Sequence, residues 1–167
     1  MMARLISTLV SLVLSLWLGG IVFLFLGVST LFRAFPRPAS DVAPQAAPAL
    51  FHVWERYQLV LAAVALLSVF AWYVIVRTKR LIVLFLLLTL ASAAAVVSTT
   101  LITPRIDRMR EAGQSSTAEF RALHGRSMQC YVAQAALLLV SVLMTSWMSG
   151  APGAQRAAPR TPDSAPR

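Results

Sequence analysis

The chain's only imidazoles are His52 and His124, and its only thiol is Cys130. His52 and Glu55 lie three residues apart, which puts them on one helix face. His124 and Met128 lie four apart, with Cys130 close behind. Imidazole with soft sulfur suits copper, and imidazole alone suits haem. No Cys-x-x-Cys or His-x-x-x-His occurs, and the two histidines come from distant segments. The leading reading therefore has no cofactor, each histidine being an interfacial side chain bonded to a carboxylate or headgroup. The alternative is a copper or haem site built from His52, His124, Met128 and Cys130.

A second group is ionic. Arg105, Asp107, Arg108 and Arg110 follow one apolar run, and His52, Glu55 and Arg56 precede another. Glu119, Arg121 and His124 precede a third. The candidate polar cluster is His52, Glu55, Arg56, Arg105, Asp107, Arg108 and His124. It reads either as a solvated amphipathic turn with local charge pairs or as a clasp fixing the third loop against the first. No Ser-His-Asp set, Gly-rich phosphate loop or paired-carboxylate motif appears, so no enzyme is expected.

The elements that position these residues are long and apolar. Of 167 residues, 58% are hydrophobic and 13% charged, about half the usual charged share. Uncharged runs cover about 5–32, 57–76, 81–104 and 127–148. Each approaches or exceeds the roughly 20 residues that cross a bilayer as a helix, and in lipid each must satisfy its own backbone. The first run is too long for a signal-peptide core and shows no cleavage site. The fold expected is all-α: an integral membrane four-helix bundle, antiparallel and up-down, with helices two and four extended beyond the bilayer. Residues 1–149 form this domain, and 150–167, rich in Pro, Ala, Gly and Arg, form a disordered tail.

Punctuation supports this layout. Arg77-Thr78-Lys79-Arg80 is short enough to force a helical hairpin. Pro48 is placed as the first residue of the second helix. Thr103-Pro104 marks a start or kink, and Gly113 a stop. Ser116 with Glu119 matches a capping box, starting the last helix near Thr117. Trp54, Tyr57 and Tyr131 mark one membrane interface, and Trp72, Tyr73 and Trp147 the other. Four spans put both termini on one side. The acid-free Arg-Thr-Lys-Arg turn favours the cytoplasm for that side of a cell membrane, by composition a bacterial inner one.

No span core holds Asp, Glu, Lys, Arg or His, which argues against a proton-coupled transporter with a midplane carboxylate. Gln134 is expected to make an interhelical hydrogen bond. Ser7, Ser11, Ser15 and Gly19 recur every four residues, and Gly20 follows. Ser11, Ser15, Gly19 and Gly20 are read as a packing seam, closing against Ala91, Ser92, Ala94, Ala95 and Ser98 on helix three. The net charge of +9 points to lipid headgroups, since no basic stretch interleaves with aromatics as nucleic-acid binding requires. Membrane lipids are the expected partners. A homo-oligomer stays open, including an oligomeric small-solute transporter, and no protein partner is indicated.

Two groups of residues carry a resemblance. One is Leu16-Trp17-Leu18-Gly19-Gly20, Leu31-Phe32 and Ala49-Leu50-Phe51. The other is Pro104-Arg105-Ile106-Asp107-Arg108-Met109-Arg110 and Phe120-Arg121-Ala122-Leu123-His124-Gly125-Arg126-Ser127. Together they resemble a four-span family of unknown function, the transmembrane-protein-205-like, domain-of-unknown-function 4149 type. The likeness covers roughly 5–148 and implies four membrane helices and no established activity. The Trp-Leu-Gly-Gly piece is also similar to copper-resistance-D-type membrane proteins. The wider relatives implied include copper-handling and haem-binding proteins that use a histidine within a membrane helix, and no span core here has one.

Overall fold

The computed structural model describes residues 1–36 and 41–150, with side chains up to 148. Arg37 and the tail beyond residue 150, expected to be disordered, lie outside the described residues. Helix α1 runs Met2–Ala34, α2 Val42–Val76 and α3 Lys79–Val97. A π-helical turn, Ser98–Ile102, joins α3 to α4, Thr103–Glu111, and α5 spans Ala118–Gly150. Helices Met2–Ala34, Val42–Val76, Lys79–Glu111 and Ala118–Met148 are each long and apolar enough to cross a membrane. This is the expected all-α, four-span bundle.

Helices α1, α2 and α5 each outreach the bilayer, and α3 does so together with the π turn and α4. The 35 residues of α2 make about 52 Å of helix at 1.5 Å per residue, against a hydrocarbon core of about 30 Å. The surplus of α2 and α5 falls at the end opposite the termini, together with α4. Helix α2 begins earlier than Pro48 implies: Asp41 is its N-cap and Pro48 lies inside it. Pro44, in the first turn, has no backbone N–H to lose. Pro48 does give up a hydrogen bond, and the helix continues through it.

The hairpin turn needs a left-handed residue, and Arg77 supplies it at φ 51°. Its amide donates to the Tyr73 carbonyl at 2.8 Å. At the other end, Gly113 ends the α4 turn at φ +70°, as expected. The cap of α5 is Thr117 rather than Ser116: its Oγ1 accepts the Phe120 N–H at 3.1 Å. A β-hydroxyl reaches the amide three residues on, and here Thr117 stands immediately before the first helical residue.

The π turn has a local cause. Pro104 brings no N–H, and its ring would collide with the carbonyl four residues back in a regular helix. One wider turn relieves the clash, with the Thr103 amide donating to Ser98 five residues earlier.

The long helices form a ring in which α1 packs on α2, α2 on α3, α3 on α5 and α5 on α1. Helices α1 and α3 therefore sit on a diagonal, which corrects the expected α1–α3 seam. The buried residues of α1 are Val10, Val13, Leu14, Trp17, Ile21 and Leu24. Ser11 is half-buried, whereas Ser15 and Gly19 face outward. Gly20 does make a close approach, but to α2: a Cβ there would stand 2.1 Å from the Trp54 ring. Ala91, Ser92, Ala95 and Ser98 are buried, on a helix whose neighbours are α2 and α5.

The interface aromatics divide differently from the sequence reading. Trp54 covers Gly20, and Tyr131 is 1% exposed within an aromatic cluster. Its ring centroid lies 5.6 Å from Phe25 and 5.7 Å from Phe51. Trp72 is buried as well, while Tyr57 and Trp147 face outward. Aromatics at helix ends serve packing and interface equally well, so their position alone does not separate the two.

Candidate functional site

Polar groups converge where α2 runs against the π turn and α4. The two helices run antiparallel from the tight turn at Arg77 to this point. Gln58 Nε2 donates to Thr99 Oγ1 at 3.3 Å. One turn further out, the Thr103 hydroxyl donates to Glu55 Oε1. One turn beyond, His52 Nε2 lies 3.2 Å from Asp107 Oδ2. Residues 52, 55 and 58 share one face of α2, while 99, 103 and 107 line the opposing helix. They form a ladder of three polar rungs running inward from the charged end.

The rungs differ in burial. Gln58 is 0% exposed and Glu55 3%, whereas the His52 side chain is 47% exposed. Glu55 Oε2 lies 3.9 Å from His52 Nδ1, and Arg110 Nη1 donates to Asp107 Oδ1 at 2.9 Å. The outer rung thus runs Glu55–His52–Asp107–Arg110, with alternating charge when the imidazole is protonated. A buried carboxylate needs such partners, because desolvating an unpaired charge is costly. A smaller apolar cluster of Ile102, Ile106, Met109 and Leu123 holds α4 against α5 beneath it.

The structure brings together His52, Glu55 and Asp107 from the expected polar cluster and adds Arg110 as the ionic partner. Arg56, Arg105 and Arg108 are exposed. None of these three forms an ion pair among the described residues, and Arg108 Nε donates to the Pro104 carbonyl at 3.3 Å. Leu101, Arg105, Arg108, Met109 and Gln114 line an open cleft on the outer side of α4. His124 stands apart, stacked on Phe120 with ring planes 2° from parallel and centroids 6.2 Å apart.

The set His52, His124, Met128 and Cys130 is not gathered at one place. Met128 packs on the main core and Cys130 on the smaller cluster. Among the described residues, no three His, Cys, Asp or Glu side chains are grouped to hold a metal ion.

Gln134 also departs from expectation. It is 0% exposed, and neither amide atom finds a hydrogen-bond partner among the described residues. Its nearest polar helix-mate is Tyr131, whose hydroxyl lies beside Glu55, Ser98 and Gln58 without hydrogen-bond geometry to any of them. Gln58, Thr99, Thr103, Ser98 and Tyr131 were not singled out from sequence. Part of the signal was present: counting outward from the four-residue turn Arg77-Thr78-Lys79-Arg80 pairs 58 with 99, but 55 with 102 and 52 with 105, one and two residues short of Thr103 and Asp107.

No curated protein and no solved structure matches the chain. The expected likeness to copper-resistance-D-type proteins is thus not shown. A family model described as a domain of unknown function, DUF4149, matches residues 12–115. That stretch carries most of α1, all of α2 and the whole of α3, π turn and α4, hence every rung of the ladder. The chain, with four helices long and apolar enough to cross a membrane, belongs to the DUF4149 family, whose function is unknown.

Proposed function

We propose that this is a non-enzymatic membrane protein whose charged end binds an anionic ligand. The observation that carries the reading is the cleft of Leu101, Arg105, Arg108, Met109 and Gln114. Its two guanidinium groups are not neutralised by carboxylates, and they suit phosphate oxygens. Leu101 and Met109 offer apolar contact beside them, so the ligand class favoured is an anionic headgroup carrying a hydrocarbon chain. The ladder keeps this end rigid, which is what a binding surface requires of its support.

Native mass spectrometry of the full chain, with anionic and zwitterionic phospholipids in turn, tests the proposal. Retained anionic lipid is expected to fall several-fold when Arg105→Ala and Arg108→Ala are combined. Equal retention of both lipid types by the unaltered chain would remove the basis for it. An absorption spectrum and metal analysis separate this reading from the copper- or haem-linked one. A Soret band or stoichiometric copper would replace it.

The proposed setting is the cell membrane with both termini in the cytoplasm, supported by the acid-free Arg77-Thr78-Lys79-Arg80 turn. Reporter fusions at each terminus check it: cytoplasmic reporters should be active at both ends, and activity of periplasmic reporters would invert the topology.

A further inference from the structure

Below the outer rungs, the bundle holds polar atoms that the chain does not satisfy. Among the described residues, Gln58 Oε1, Ser98 Oγ, the Tyr131 hydroxyl and both amide atoms of Gln134 are buried without a hydrogen-bond partner, as are Ser92 Oγ and the indole N–H groups of Trp17 and Trp54. Gln58, Ser98 and Gln134 are 0% exposed and Tyr131 1%. Native folds rarely leave buried donors and acceptors unmade. The polar groups nearest Glu55 come from α2, the π turn and α5.

Their depths coincide. Gln58 pairs with Thr99, which sets the level of the inner rung, and Tyr131 lies beside Gln58 and Ser98 at that level. One turn deeper stand Ala62 on α2, Ala95 on α3 and Gln134 on α5. All three are buried. One further turn along α5 is Leu138, 0% exposed. Beyond it the α5 hydroxyls are satisfied on their own helix. Ser141 donates to the Leu137 carbonyl at 2.8 Å and Thr145 to Val142 at 2.8 Å. On α2, the π turn and α5 the unmet groups thus begin beside Glu55 and stop short of Leu138, with Ser92 unpartnered on α3 at about the level of Leu138.

The chemistry of the set selects its occupant. Gln58 Oε1 accepts, Gln134 offers both a donor and an acceptor, and the Ser98 and Tyr131 hydroxyls do either. A bare cation would meet the oxygens and leave the Gln134 Nε2 hydrogens facing it. Water meets both kinds, and buried waters typically bond about three otherwise unpaired polar groups each. We infer that Gln58, Ser98, Tyr131 and Gln134 form an internal hydration site, whose bound water links the Glu55 carboxyl to the middle of the bundle and ends at Leu138. This site is separate from the arginine cleft, which faces outward.

Hydroxyl-radical footprinting of the full chain in lipid nanodiscs, read by mass spectrometry, tests it, because radicals born from bound water label the side chains that hold it. With rates normalised to each amino acid's intrinsic reactivity, Tyr131 should be modified at least several-fold faster than Leu88 and Leu138. Those leucines are equally buried. In Gln134→Met, Tyr131 labelling should drop several-fold while helical circular dichroism is kept. If that variant does not fold, Gln58→Met serves the same purpose. Tyr131 protected to the level of the two leucines would overturn the inference, and so would labelling that neither substitution changes.

Discussion

Helices α1 and α5 are neighbours in the same ring, yet their inward stripes are opposite in kind. That of α1 is Val10, Val13, Leu14, Trp17, Ile21 and Leu24, apolar throughout except for one indole N–H. That of α5 runs Leu123, Ser127, Tyr131, Gln134, Leu138, Ser141 and Thr145, with Leu123 and Leu138 its purely apolar members. Their most apolar windows have mean hydropathy 2.6 and 1.6, so both read as spans. In lipid there is little hydrophobic drive between helices, and association rests on packing and on polar contacts. The first stripe supplies packing. The second supplies polar groups whose partners lie on other helices, in bound water or along its own backbone.

Substitutions can break or sharpen this contrast. Leu14→Ala on α1 should cost about 3 kcal/mol through the cavity it leaves, read as thermal or denaturant unfolding in detergent. A cost like that of a surface change would mean the α1 stripe does not hold the ring. Thr103→Val takes the hydroxyl from a buried carboxylate and should cost about 2 kcal/mol. A double-mutant cycle with Glu55→Gln isolates the coupling, and additivity would show that the rung is not an energetic unit.

The adjacent glycines give a finer comparison. Gly20→Ala drives a methyl into the Trp54 ring and should cost about 1.5 kcal/mol by overpacking. Gly19→Ala meets nothing within 4 Å and should gain up to about 1 kcal/mol of helix propensity. The same assay reads both, and equal effects would contradict the rotational setting of α1. Smallest of all, Ser141→Ala on α5 should change stability by less than about 0.5 kcal/mol, since its hydroxyl bonds its own helix.

The number of spans, the hairpin at Arg77 and the stop at Gly113 were legible because each follows from local chemistry: uncharged length, a short charged turn, a left-handed glycine. The rotation of each helix was not. A soluble helix shows its inward face by apolar period, but in a bilayer both faces are apolar and the period fades. The Ser and Gly stripe on α1 therefore pointed to a contact that the ring places elsewhere, and only Gly20 proved to be a close approach. The candidate site was half legible. His52, Glu55 and Asp107 carry charge at a membrane end and announce themselves. Gln58, Thr99 and Thr103 are modest polar residues within apolar stretches, and only the pairing of α2 with its neighbour across the hairpin gives them a role.

The π turn at Ser98–Ile102 also acts as a phase adjuster. Each residue of an α-helix advances the azimuth by about 100°, and the extra residue held in this turn sets which azimuth α4 presents to α2. Rewinding the turn to regular α geometry with no residue removed would turn α4 by about that angle and lengthen the helix by about 1.5 Å. The place that Asp107 now takes opposite His52 would pass to Ile106, putting an apolar side chain where the imidazole meets an anion. The outer rung would lose its pairing without any side chain being replaced. In this region the width of one helical turn is therefore as binding a constraint as composition, because it decides which residue meets His52.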